Sequence, residues 1–257
     1  MKCKICGNKL APGEETYCED CAATMGGGGS AHYMAEQIRK ERREKLVKKP
    51  GEILFQGMVV SIQPRIRLSR SFDQRSHVYL GYALLVHGLF DKDTTEHWIG
   101  IGKAAQARHQ FQAGINIVGV CRAVADPRME AVEFYKAARM EGSFRERIQD
   151  EQPPPRHGIP PALEKYRERG HRRLAVQTYE KACLSCIWGC KMAVEMILDQ
   201  WKPHLRKYRY ETFCYGPKSC KLYKAGPTRK VPGRRGMSWE EEDWVDEEAT
   251  GGRGEDE

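Results

Sequence analysis

Four of the first 21 residues are cysteines, set as two CxxC pairs: Cys3/Cys6 and Cys18/Cys21, with eleven residues between them. A tetrahedral Zn²⁺ takes four soft thiolates, and two CxxC turns joined by a short loop bring four together. Gly7 follows the first pair and suits the tight turn such a knuckle needs. The competing use of these cysteines is two disulfides. Nothing before Cys3 reads as a signal peptide, so the expected compartment is reducing and cytoplasmic, where disulfides are disfavoured. Residues 1–24 are therefore expected to form a zinc ribbon, with Zn²⁺ held by Cys3, Cys6, Cys18 and Cys21.

Five of the other six cysteines crowd into a second cluster, Cys183-x2-Cys186-x3-Cys190 and then Cys214-x5-Cys220. The stretches between the two groups, Met192 to Leu198 and Tyr208 to Phe213, alternate like strands, and a hairpin would return the second group to the first. Two ligand sets fit this spacing. Zn²⁺ could take Cys183, Cys186, Cys214 and Cys220 and leave Cys190 aside. A [4Fe–4S] cluster could take Cys183, Cys186 and Cys190 with Cys214 or Cys220 as the fourth ligand, shielded by Trp188, Phe213 and Tyr215. Cys121 stands alone in an apolar run and is expected in the core.

The net charge of +8 hides an asymmetry. From Ser238 to Glu257 ten acidic residues face one arginine, Arg253, a balance of −9 that leaves +17 on the rest of the chain. A body that basic attracts polyanions, nucleic acid foremost. At 40% apolar and 30% charged residues the chain is lean, which fits small folded units joined by solvated stretches. No apolar run approaches the ~18 residues of a membrane span. The acidic tail has two readings: a disordered solubilising segment, or one that folds back on the basic surface as a nucleic-acid mimic, helped by Trp239 and Trp244.

Residues 25–50 combine a Gly-rich linker (Met25 to Ser30) with a basic helix, 31–49, that carries seven basic and three acidic residues. Its apolar positions, Tyr33, Met34, Ile38 and Leu46, are too sparse for a core helix, which leaves a solvated spacer or a basic arm. From Gly51 the period becomes two. Strands are expected over Ile53–Arg70, His77–His87, Glu96–Ile101, Ile115–Val124 and Ala131–Met140, with a helix over Lys103–Phe111 after the third. Pro-rich residues 143–161 read as a stiff hinge, and Ala162–Ala182 as a basic helix that Gly170 interrupts. A cysteine-rich module with a basic loop (183–236) and the acidic tail (237–257) complete the organisation.

Three strands, a short helix and two strands within 51–142 resemble an OB-fold, the five-stranded barrel that often binds oligonucleotides. The likeness rests on Phe55-Gln-Gly-Met-Val-Val60, Trp98-Ile-Gly-Ile-Gly102 and Phe111-Gln-Ala-Gly-Ile-Asn-Ile-Val-Gly119. It implies a mainly β protein similar to nucleic-acid-binding OB-fold proteins with an N-terminal zinc ribbon. On the barrel the expected contacts to single-stranded or structured DNA or RNA are Arg65, Arg67, Arg70, Phe72, Arg75, His77 and Tyr79. Arg229, Lys230, Arg234 and Arg235 in the Gly- and Pro-rich loop would follow a phosphate chain. A protein partner for the ribbons or the tail is a further possibility. No Walker loop, nucleophile elbow or HExxH motif is present, so the expected role is binding; an iron–sulfur redox or sensor protein is the alternative from another class.

Overall fold

A computed structural model describes residues 49–71, 74–143 and 154–253. The first cysteine cluster, the Gly-rich linker, the basic segment up to residue 48, and Phe72 lie outside the described residues. Residues 50–257 form one compact unit.

The fold is mainly β. In chain order it runs β1 (Ile53–Arg70), β2 (Arg75–Phe90), β3 (Asp93–Ile101), α1 (Lys103–His109), β4 (Asn116–Ala123) and β5 (Phe134–Ser143). Then follow α2 (Leu163–Arg169), β6 (Arg172–Arg173), α3 (Val176–Thr178), β7 (Gly189–Ile197), β8 (Arg206–Cys214), β9 (Arg229–Pro232), β10 (Ser238–Glu241) and α4 (Asp243–Ala249). The first five strands match the expected ones to within a few residues. β1 pairs with β2 and β4, β2 with β3, β4 with β5, and β3 meets β5 in parallel at Ile99 and Phe134. These pairings close a ring of five strands around Phe55, Val59, Ile62, Ile66, Leu84, Ile99 and Ile117.

β1 is long enough to serve two structures. Val60 is an extra residue opposite β2, between Val59↔Val86 and Ser61↔Leu85. One extra residue reverses which side chains point inward. Before it Phe55 and Val59 enter the ring; after it Ile62, Ile66 and Leu68 do. Ser61 and Gln63 are thereby turned to the other face, and both are fully buried there. β1 and β2 approach closely where Gly57 faces Gly88: a Cβ on Gly57 would meet the His87 carbonyl oxygen at 2.4 Å. Only glycine allows that approach.

The far end of β1, Arg67 to Arg70, pairs in parallel with Ala193 to Met196 of β7, and β7–β8–β6 extends the sheet away from the ring. The expected hairpin is present, with Gly189 opposite Cys214. The expected helix over Ala162–Ala182 is corrected. It ends at Arg169, β6 pairs with β8, and α3 runs on into a π-helical turn, Tyr179–Cys183. The break falls at Gly170, whose φ is +64° and whose missing Cβ leaves room for the Ala249 carbonyl oxygen, 1.8 Å from where that carbon would stand.

Ala249 belongs to the acidic tail, and its described part is ordered structure. β10 pairs with β9 through Trp239↔Val231, and α4 lies on β6. Of the two tail readings the structure shows the fold-back over residues 238–253. Among the described residues no helix is long and apolar enough to cross a membrane.

Gly170→Ala is expected to destabilise the protein by at least about 2 kcal/mol, through a strained φ and collision with the tail backbone. Gly252→Ala, with open space around it, should stay within about 0.5 kcal/mol. Urea denaturation of both variants checks the pair.

Candidate nucleic-acid interface and thiol cluster

Most of the basic residues expected to grip nucleic acid are occupied inside the fold. Arg65 and Arg67 share one face of β1, and each has an Nη2 bonded to the same Glu130 oxygen, at 2.8 and 2.9 Å. Arg70 is 2% exposed, with Nη1 on Glu241 Oε2 at 2.8 Å and Nη2 on Glu211 Oε2 at 3.4 Å. Arg75 reaches the other Glu241 oxygen at 3.3 Å. Arg229 bonds Glu211 at 2.8 Å and lies over the Phe213 ring. Arg209 also pairs with Glu211. The result is a buried cluster of guanidiniums closed by two carboxylates, one from β8 and one from the tail.

His77 and Tyr79, the described ring-bearing candidates, are likewise packed. His77 packs at a tilt against His171 with ring centroids 4.7 Å apart, and the guanidinium of Arg167 sits over the Tyr79 ring. Burial, and then Arg75 and Arg70, push His77 down to about 4. His171 is driven down by burial first and by His77 second. Arg75, Lys230, Arg234 and Arg235 are the expected contacts that remain exposed, Arg75 while still reaching Glu241.

Arg234 and Arg235 occupy the turn between β9 and β10, where Arg235 and Gly236 both have positive φ and Gly233 N–H donates to the Met237 carbonyl at 2.7 Å. Facing them is the β7–β8 connection, in which Asp199 caps its own turn by accepting from Trp201 N–H at 3.0 Å. Between the two turns runs an open groove of about 700 Å³. Trp201 lines it at 84% exposure, beside the partly exposed Leu205 and Met237. Lys202, Lys207, Arg234 and Arg235 line it too, against a single carboxylate, Asp199. Trp201, Lys202 and Lys207 were missed by the sequence reading. The available signal was a tryptophan inside the basic run Trp201-Lys-Pro-His-Leu-Arg-Lys207.

The second cysteine cluster divides. Cys183, Cys186, Cys214 and Cys220 line one small cavity together with Pro154, Leu174, Trp188, Leu222 and Tyr223. Burial raises Cys183 to about 12, followed by the neighbouring thiols Cys186, Cys214 and Cys220. Burial also raises Cys186 and Cys214. Two backbone N–H groups point at sulfur: Gly216 donates to Cys214 Sγ and Arg156 to Cys186 Sγ, each at 3.3 Å. Cys190 is elsewhere, fully buried, its Sγ–H donating to the Pro64 carbonyl at 3.2 Å. Gln63 ties the cysteine turn to the ring, donating to the carbonyls of Cys183 and Leu184 at 2.9 Å while its Oε1 accepts from Tyr179 Oη–H. Among the described residues no three Cys, His, Asp or Glu side chains already surround a point where a metal ion would sit. Cys121 is in the core, as expected.

Compared with family models, curated proteins and solved structures, the chain gives no match.

Removing one partner from a buried ion cluster strands the others, at about 3–5 kcal/mol. Glu241→Gln should therefore cost about 3 kcal/mol in urea denaturation, whereas Arg235→Ala on the surface should cost under about 0.5. His77 also links stability to pH. It is held neutral when folded and takes up a proton near 6.5 when unfolded, so its contribution is complete above about pH 6.5 and is lost as pH falls toward about 4. Denaturation midpoints at pH 7 and pH 4.5 should differ less in His77→Gln than in the parent.

Proposed function

We propose that this chain binds single-stranded nucleic acid, with the five-stranded ring serving as an OB-like barrel and the Trp201 groove as its described contact surface. The observation that carries the reading is the 84% exposed Trp201, set in one groove with four cations. A tryptophan so open to water has no packing role, and its ring presents a face on which any base can stack. Ammonium and guanidinium groups to either side neutralise phosphates without reading sequence. The two walls are β-turns held by their own backbone hydrogen bonds, so the cations are presented on a firm frame.

Duplex is the poorer ligand for this arrangement, because a base must be unstacked before it can lie on Trp201. In this reading the first cysteine pairs, Cys3/Cys6 and Cys18/Cys21, hold Zn²⁺, and they and the basic segment 31–49 lengthen the contact. The role is non-catalytic. Arg65, Arg67, Arg70, Arg75 and Arg229 support the fold through their carboxylate partners.

Fluorescence anisotropy with a labelled oligonucleotide of about 16 nucleotides tests this directly. Trp201→Ala should weaken binding by about 1–3 kcal/mol, roughly 5- to 150-fold. Arg234→Ala with Arg235→Ala should lower the slope of log affinity against log salt by about 0.7 per lost contact. Unchanged affinity and salt slope in both variants, or no binding by the parent, would overturn the proposal.

A further inference from the structure

We infer that Cys183, Cys186, Cys214 and Cys220 form a tetrathiolate site for one soft divalent cation, zinc by its chemistry, and that Cys190 is outside it. Two of the thiols come from the turn that leads into β7; two come from the end of β8 and the loop after it. The ladder that sets Gly189 opposite Cys214 brings these two stretches to the same end of the sheet. Residues 28 or more apart in sequence thus share one cavity.

The cavity is small and lies among the four thiols. The donor set selects the ligand: besides the four thiols the lining holds mostly apolar residues with Arg156 and Tyr223, and no carboxylate or imidazole, which suits zinc.

The N–H groups of Gly216 and Arg156 are aimed at Cys214 Sγ and Cys186 Sγ. A neutral thiol is a weak acceptor, and such donors stabilise the thiolate form that a metal requires. Cys190 shows the opposite chemistry. Its thiol acts as a donor to Pro64, which fits a protonated core cysteine and removes the third ligand of the close triplet. No three thiols surround a common point among the described residues, so the proposed site requires the cysteine side chains to turn about χ1, while Gln63 and the β7–β8 ladder hold the backbone around Cys183 and Cys214. The site closes the loop from which the chain continues to β9, so it is architectural, and it stands independently of the nucleic-acid reading.

The test uses the full chain with Cys3, Cys6, Cys18 and Cys21 replaced by Ser, so that ribbon thiols contribute nothing. Titration with Co²⁺ should reach one equivalent, with the sulfur-to-cobalt charge-transfer and ligand-field bands of a tetrahedral tetrathiolate, and Zn²⁺ should displace it. Cys190→Ala on this background should keep the stoichiometry and the spectrum; Cys220→Ser, in the loop after β8, should lose the tetrathiolate bands. If Cys220→Ser fails to fold, the parent and Cys190→Ala spectra decide by themselves. No Co²⁺ binding by the parent, loss of binding in Cys190→Ala, or purification with iron and sulfide in place of zinc would each overturn the assignment.

Discussion

Glu241 is the point at which the chain's lopsided charge is resolved. It comes from a tail carrying ten acidic residues, and it is buried between Arg70 at the end of β1 and Arg75 at the start of β2. A few residues on, Asp246 accepts from both the backbone N–H and Nε of Arg173, whose side chain is fully enclosed. Buried guanidiniums are tolerated only with their donors satisfied. Arg173 meets that demand with Asp243, Asp246 and the Glu241 carbonyl. The tail therefore supplies the counter-charge without which Arg173 of β6 would be uncompensated in the interior and Arg70 of β1 would keep only Glu211. Arg253 closes the wrap, donating to the carbonyls of Arg169 and Gly216 and lying beside the thiol cavity.

This arrangement decides which positive charge is left for a partner. Arg65, Arg67, Arg70, Arg75 and Arg229 are engaged by Glu130, Glu211 and Glu241, and the accessible cations include those gathered on two turns around Trp201 and Arg235. In the proposed reading, binding and folding are divided between separate cations. A phosphate chain could contact the groove without competing for the ion pairs that hold the tail.

The ring was legible from residues alone because its information is local. Ile53 to Arg70 is rich in β-branched and aliphatic residues and reads as a strand from its own residues. The bulge at Val60 left no mark, since a Val-Val-Ser sequence reads equally well in either phase, yet it aims Gln63 at the cysteine turn. Non-local facts stayed hidden. Arg70 and Glu241 are 171 positions apart, so Arg70 looked like a free cation on a strand face. Gly170 could be seen to weaken a helix, but its reason, the Ala249 carbonyl against its Cα, lies in the tail. The thiols were countable in sequence, while the separation of Cys190 from the other four needed the Pro64 carbonyl to be seen.

The central claim is that the acidic tail is part of the folded core. Its most direct measurement is the cooperative unfolding of a chain ending at Met237, compared with the full chain by denaturation and by amide hydrogen exchange at Arg173, Leu174 and Thr212. The account predicts a large loss of stability and collapse of protection at all three amides, because the buried arginines lose their carboxylates. A shortened chain with the parent's unfolding midpoint and unaltered protection would contradict it.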